Sequence, residues 1–212
     1  MTHPTMRRIA GAPATSRLDA ATTALIVIDF QQEYFEGGKL PIPDGRSALD
    51  KARELVAFAD RSGIRVFHVQ HVGASGGPLF AADGASSAFH QDILPQPHHE
   101  QVRKTTASSF ASTDLHARLQ GQGIKTLIIC GLMTHMCVST TARDARPLGY
   151  QVIVAADASA TRDIDAWDGG VVGHAELHRA ALTEISDSFG EILRTADILA
   201  LPVAADNNAK AA

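Results

Sequence analysis

The chain has only two cysteines among its 212 residues, Cys130 and Cys137. Disulfides are therefore excluded as the framework of the fold, and a thiol here is expected to be catalytic or buried rather than bridged. Basic residues do not predominate: 19 Lys and Arg stand against 23 Asp and Glu, a net charge of −4. The cations are scattered, which argues against nucleic acid as a partner. No apolar run is long enough to span a bilayer, so no membrane partner is expected. Arg7 and Arg8 are followed by no apolar core, so the N-terminal residues do not read as a secretory signal, and the expected location is cytoplasmic. There is no internal repeat.

What is present is ordinary globular composition, 45% hydrophobic and 20% charged. One domain over residues 21–203 is expected, between a loose polar arm (1–20) and a frayed tail (204–212). A chain of this length buries roughly 70% of its unfolded surface and needs no metal to hold it together.

Short runs rich in Val and Ile at 24–29, 65–70, 126–131, 151–155 and 191–194 suit strands covered on both faces. Helical patterns lie between them. Asp44 can cap a helix bearing Leu49, Ala52, Leu55, Val56 and Ala59, ended by Gly63. Ser112 or Thr113 can cap a shorter helix with Leu115 and Leu119, ending near Gly121. Thr134 can cap a helix whose inner face is Val138, Thr141, Ala142 and Ala145, with Pro147 limiting it. A last helix spans about 175–187. Alternating β and α elements predict an α/β fold, a parallel sheet with helices on both faces. The ligand crevice then lies at the carboxyl ends of the strands.

Three residues fall where chemistry would sit. Asp29 ends the run Leu25-Ile26-Val27-Ile28-Asp29. Lys104 follows Val102-Arg103. Cys137 lies just inside a helix start, where unpaired N–H groups and the helix dipole favour a thiolate. A carboxylate can take the proton of a thiol and return it to a leaving amine. Yet a carboxylate also opposes thiolate formation, by on the order of 4 kcal/mol at about 4 Å and a dielectric near 20. A lysine at similar distance offsets that, whereas a helix N-terminus contributes only about 0.3–2 kcal/mol. Cys130, mid-strand, reads as core packing.

With these residues in place the chain resembles the isochorismatase-like cysteine hydrolases. The matching pieces are Val27-Ile28-Asp29-Phe30-Gln31, Lys104 in Val-Arg-Lys-Thr-Thr-Ala-Ser-Ser-Phe, and Gly131-Leu-Met-Thr-His-Met-Cys137-Val with Thr140-Thr141-Ala142-Arg143-Asp144. Asp157-Ala158 and His178-Arg179-Ala180-Ala181-Leu182 also match. The likeness covers roughly residues 22–200. It implies a three-layer α/β/α, Rossmann-like fold with a six-stranded parallel sheet in the order 3-2-1-4-5-6, and a homo-oligomer, dimer or tetramer. It implies an Asp29–Lys104–Cys137 triad cleaving a C–N bond of a small-molecule amide through a thioester. It also implies a non-proline cis peptide at Leu132–Met133, aiming the amides of Met133 and Cys137 at one point as an oxyanion hole. Two rivals stand beside this reading: hydrolysis of isochorismate itself, and a redox-sensing or ligand-binding thiol protein.

No cofactor is called for, and no metal is expected. Strand alternation puts His68 and His71 on opposite faces, and the metal-binding Asp-x-His of the nicotinamidase branch is missing from Gln70-His71-Val72-Gly73-Ala74-Ser75. His98-His99-Glu100 reads as a solvated loop. Candidate pocket residues are Gln31, Tyr34, Phe35, Phe110 and Trp167, with no clear arginine clamp. The glycine-rich stretch 73–88 is a candidate lid, and the insert around Trp167 a candidate pocket cover or subunit contact.

Overall fold

The computed structural model describes residues 3–204. Six strands form the central sheet: β1 (Thr23–Ile28), β2 (Arg65–His71), β3 (Glu100–Lys104), β4 (Thr126–Leu132), β5 (Gln151–Ala160) and β6 (Glu191–Leu193). All neighbours run parallel, in the order β3-β2-β1-β4-β5-β6. This is the expected topology, and its switch point lies between β1 and β4, where the two halves wind in opposite directions.

The inner strands are apolar throughout because both faces are covered. Leu25 and Val27 face a layer containing Leu49, Ala52 and Leu55 of α1 (Gly45–Ser62). Ile26 and Ile28 face Leu115 and Leu119 of α2 (Leu115–Gly121), Val138 and Ala142 of the segment after β4, and Ile185 of α4 (His174–Ser188). Full burial of Leu49 and Leu55 stabilises the fold by about 1.5–3 kcal/mol each.

Several local expectations are corrected. Asp44 does precede α1, but its side chain makes no capping bond; it faces His174 Nε2 at 3.6 Å instead. Asp114, not Ser112 or Thr113, occupies the N-cap position of α2, although Thr113 Oγ1 accepts the Leu115 N–H at 3.1 Å. Thr134 is no cap either. It opens a π turn, Thr134–Val138, that leads into α3 (Ser139–Ala145), and its hydroxyl bonds His178 Nδ1 at 2.8 Å. The strand at β3 is missed by hydrophobicity because it is an edge strand with inward Val102 and Lys104 alternating with outward Gln101 and Arg103. Glu100 therefore belongs to the sheet, and His99 beside it is buried rather than solvated.

The segment expected as a loose arm is partly docked. Met6–Ile9 forms a helical turn whose Met6 N–H donates to Asp187 Oδ1 at 2.8 Å. Leu18–Asp19 pairs in parallel with Val203–Ala204, so Ala204 is also paired; the rest of the expected tail lies outside the described residues. Among those residues no helix is long and apolar enough to cross a membrane.

Two histidines end on opposite faces of β2, as strand alternation requires. His68 Nε2 lies 3.1 Å from His99 Nδ1, and His99 Nε2 lies 2.9 Å from Asp60 Oδ1, which also meets His98 Nε2 at 3.0 Å. The Gln96 N–H donates to His99 Nδ1, leaving the ring proton on Nε2, where it serves Asp60. A metal on that nitrogen would have to displace this proton, so Asp60, His98 and His99 form a hydrogen-bonded brace between α1 and the residues leading into β3.

Burial, reinforced by His99, pushes the His68 pKa down to about 3. The unfolded chain, with an ordinary value near 6.5, takes up that proton first. The contribution to stability is thus intact above pH 6.5, is lost as pH falls toward 3, and is flat below. Between pH 7 and pH 5 the His68 share is about 2 kcal/mol. Urea unfolding at the two pH values should show a smaller acid loss in His68→Leu than in the wild type; an equal loss would assign the effect to other groups.

Candidate active site

Three strand ends bring the triad candidates together. Asp29 follows β1 and turns the chain with φ = 53°, its N–H donating to Val69 O at 2.9 Å. Lys104 is the last residue of β3. Cys137 lies in the π turn that follows β4. The approach of β4 to β1 depends on Gly131, at φ = 145°, where a Cβ would stand 2.2 Å from Ile28 O. No other residue fits that position without moving one of the two strands. The Leu132–Met133 peptide is cis.

The Lys104 ammonium is the hub. Its Nζ lies 2.7 Å from Asp29 Oδ2 and 3.2 Å from Cys137 Sγ. Asp29 and Lys104 are both wholly buried. Neither Asp29 oxygen has a conventional hydrogen bond to a described residue; they face the ammonium and the thiol, whose proton they can accept. At this separation and a dielectric near 20 the Asp29–Lys104 attraction is on the order of 6 kcal/mol before desolvation is charged against it.

Burial sets the protonation states. It pushes the Asp29 carboxyl up, with Lys104 pulling back. For Lys104 burial works downward, but the adjacent Asp29 and Cys137 outweigh it and the ammonium is held. Burial and then the Asp29 charge push the Cys137 thiol up to about 12, against the pull of Lys104. At rest these influences favour the protonated thiol over the thiolate. Weighing the carboxylate against the lysine and dipole alone omits desolvation, which here is the largest influence.

A cavity of about 340 Å³ opens onto Cys137, its walls including Tyr34, His71, Phe80, Met133, Met136 and Arg162. Of the five pocket candidates only Tyr34 lines it. Gln31 is fully buried behind the wall, its amide bonding the His71 and Ser87 backbone. Phe35 packs on the His90 ring at 4.4 Å between centroids, and Phe110 stacks on Tyr150 at 6.0 Å; both belong to the cores. Trp167 is 97% exposed, at the tip of the hairpin formed by Ile164–Asp165 and Val171–Val172. From the candidate lid, Leu79 and Phe80 reach the cavity.

His71 and Arg162 are polar wall residues that sequence reasoning misses. His71 is the register partner of Lys104 across β2 and β3, so strand pairing was the available signal. Arg162 leaves the carboxyl end of β5, two residues past Ala160, at the sheet edge where ligands bind. Its Nη1 donates to Asp163 O at 2.9 Å, while its buried Nε has no partner among the described residues.

Comparisons with known proteins address the family and the fold. The family model described as the isochorismatase domain matches residues 23–197. The solved isochorismatase of Pseudomonas putida KT2440 superposes with a TM-score of 0.85 at 34% identity, over 92% of this chain and 99% of that one. A streptothricin hydrolase of Streptomyces noursei is 38% identical over 68% of this chain and 51% of its own length. A maleamate amidohydrolase of Pseudomonas putida is 27% identical over 83% of this chain and 84% of its own. Match length, topology and identity lead to one conclusion: the chain belongs to the isochorismatase family of hydrolases.

Proposed function

We propose that the protein is an amidohydrolase that cleaves a C–N bond of a small molecule through a Cys137 thioester. The observation that carries this reading is a single buried ammonium in contact with both a carboxylate and a thiol, the thiol being the member of the three that lines a small, largely apolar cavity. Asp29 takes the Cys137 proton as Sγ attacks the carbonyl carbon, and Lys104 holds the thiolate charge that develops. The Met133 and Cys137 amides are the proposed donors to the oxyanion. Asp29 passes the proton to the departing nitrogen as the C–N bond breaks. Water, deprotonated by Asp29, then cleaves the thioester and returns the thiol.

Cys137 is the feature that favours amide over vinyl-ether hydrolysis, because the latter needs an acid and no thiol. A redox-sensing role draws no support from Cys130, which is wholly buried within β4 and has its thiol pushed up by that burial. The direct test is ammonia release from a panel of nicotinamide, N-carbamoyl amino acids, dicarboxylic half-amides and ureides. Release from at least one supports the reading, and release from none rejects it.

Arg162 gives the cavity wall a cation whose Nε lacks a partner among the described residues, which favours substrates with an anionic or strongly accepting group. Alkylation of Cys137 can read this before a substrate is known. Arg162→Met is expected to lower the rate with iodoacetate relative to iodoacetamide by about tenfold. An unchanged ratio would mean that the guanidinium does not act on the bound molecule.

A further inference from the structure

His71 lies outside the triad, yet its place is tightly built. Its backbone N–H donates to Gln31 Oε1 at 2.8 Å and its carbonyl accepts from Gln31 Nε2 at 2.8 Å. The same Nε2 also donates to Ser87 O at 2.6 Å, and Gln31 is fully buried, so the clamp has no water to compete with it. The Phe80 ring stands edge-on to the imidazole, 5.1 Å between centroids. The ring is thereby held on the cavity wall.

The imidazole meets the catalytic lysine through Nδ1, 3.2 Å from Lys104 Nζ. That ammonium has four neighbours: Asp29 Oδ2 at 2.7 Å, Thr106 O at 3.1 Å, His71 Nδ1 at 3.2 Å and Cys137 Sγ at 3.2 Å. An ammonium only donates, and although its three N–H groups face four neighbours, its charge beside Nδ1 favours a lone pair there and the ring proton on Nε2. Burial, and then the Lys104 charge, keep the ring neutral. Thr106 O also lies within reach of the ring and favours a proton on the nitrogen that faces it. The ammonium charge disfavours a proton on Nδ1, because an N–H there would turn its positive end toward Nζ.

Among the described residues Nε2 has no partner, which leaves an oriented N–H in a wall made mostly of apolar side chains. We infer that His71 is a substrate-binding residue whose Nε2–H takes an acceptor atom of the bound amide and orients its carbonyl over Cys137. This rests on the hydrolase reading above. The lysine thus does two jobs with one ammonium: it holds the charge of the nucleophile and biases the tautomer of a substrate donor.

Two measurements test this on the full chain. Nitrogen-15 spectra of the histidine rings should show His71 as the neutral Nε2–H form; the Nδ1–H form would overturn the inference. In kinetics with the fastest amide of the panel, His71→Leu should raise KM by about tenfold with kcat within about threefold, and His71→Gln, which keeps a donor, should recover most of the loss. An unchanged KM overturns the inference. So does a fall in kcat alone with a shifted pH midpoint for Cys137 alkylation, since His71 would then merely support Lys104. If no amide is cleaved, the hydrolase reading fails by itself. Iodoacetamide, itself a small amide, still decides: alkylation should slow about tenfold in His71→Leu but not in His71→Gln. Equal rates in all three proteins reject the donor.

Discussion

Cys137→Ala is expected to fold as the wild type does and to lose hydrolysis of any cleaved amide by about 10⁴-fold or more. The side chain is small and only 6% exposed, so its removal opens little space. The loss instead falls on chemistry, because the sulfur is the atom that bonds the substrate carbonyl. Two readouts separate these effects. Far-ultraviolet dichroism and thermal unfolding should stay close to wild type, within about 1–2 kcal/mol of stability. Intact mass after rapid quenching during turnover should show an acyl adduct on the wild type and none on the variant. Hydrolysis by Cys137→Ala at an unchanged rate would end the covalent mechanism, whatever the geometry of the cavity.

The second large effect concerns the buried ion pair. Lys104→Met removes the ammonium and leaves the wholly buried Asp29 carboxylate without its counter-charge. Breaking one side of such a pair costs about 3–5 kcal/mol. Asp29 can escape part of that cost by taking a proton, since burial already raises its pKa. In the variant the folded value lies above the unfolded one, so the penalty is small at low pH and grows as pH rises through the unfolded carboxyl value toward the folded one. Urea titrations of Lys104→Met from pH 4 to pH 8 should therefore show the gap to wild type widening upward. Adding Asp29→Asn should remove the pH dependence and recover much of the stability, with activity still absent. A single Lys104→Met variant as stable as wild type at pH 8 would show that the pair contributes little to the fold.

The inner sheet was legible because strands covered on both faces must be apolar: 24–29 and 126–131 could hardly be anything else. Edge strand β3 was not, since only Val102 and Lys104 point inward and one of them is a charge. Asp29 was legible at a strand end and Cys137 at a helix start, whereas Lys104 stood out mainly through the family resemblance; the structure brings the three to one hub. The cavity wall was not. Proximity in sequence suggested Gln31, Phe35 and Phe110, but a few residues past a strand end the backbone has already turned. The φ of 53° at Asp29 sends Gln31 back under β2, while Tyr34 comes round to the cavity. His71 and Arg162 enter from other strands, so only pairing register or the shared carboxyl edge could have found them. The π turn at Thr134–Val138 likewise leaves no mark in helical periodicity.

The hairpin tip carries one last consequence. Trp167 is the sole indole chromophore of the chain and stands 97% exposed. Its surroundings are nearly as wet in the native protein as in a denatured one, so intrinsic emission should report unfolding poorly. Conversely, a blue shift of that emission at rising protein concentration would register another surface settling over the hairpin, which makes this indole a built-in gauge of association.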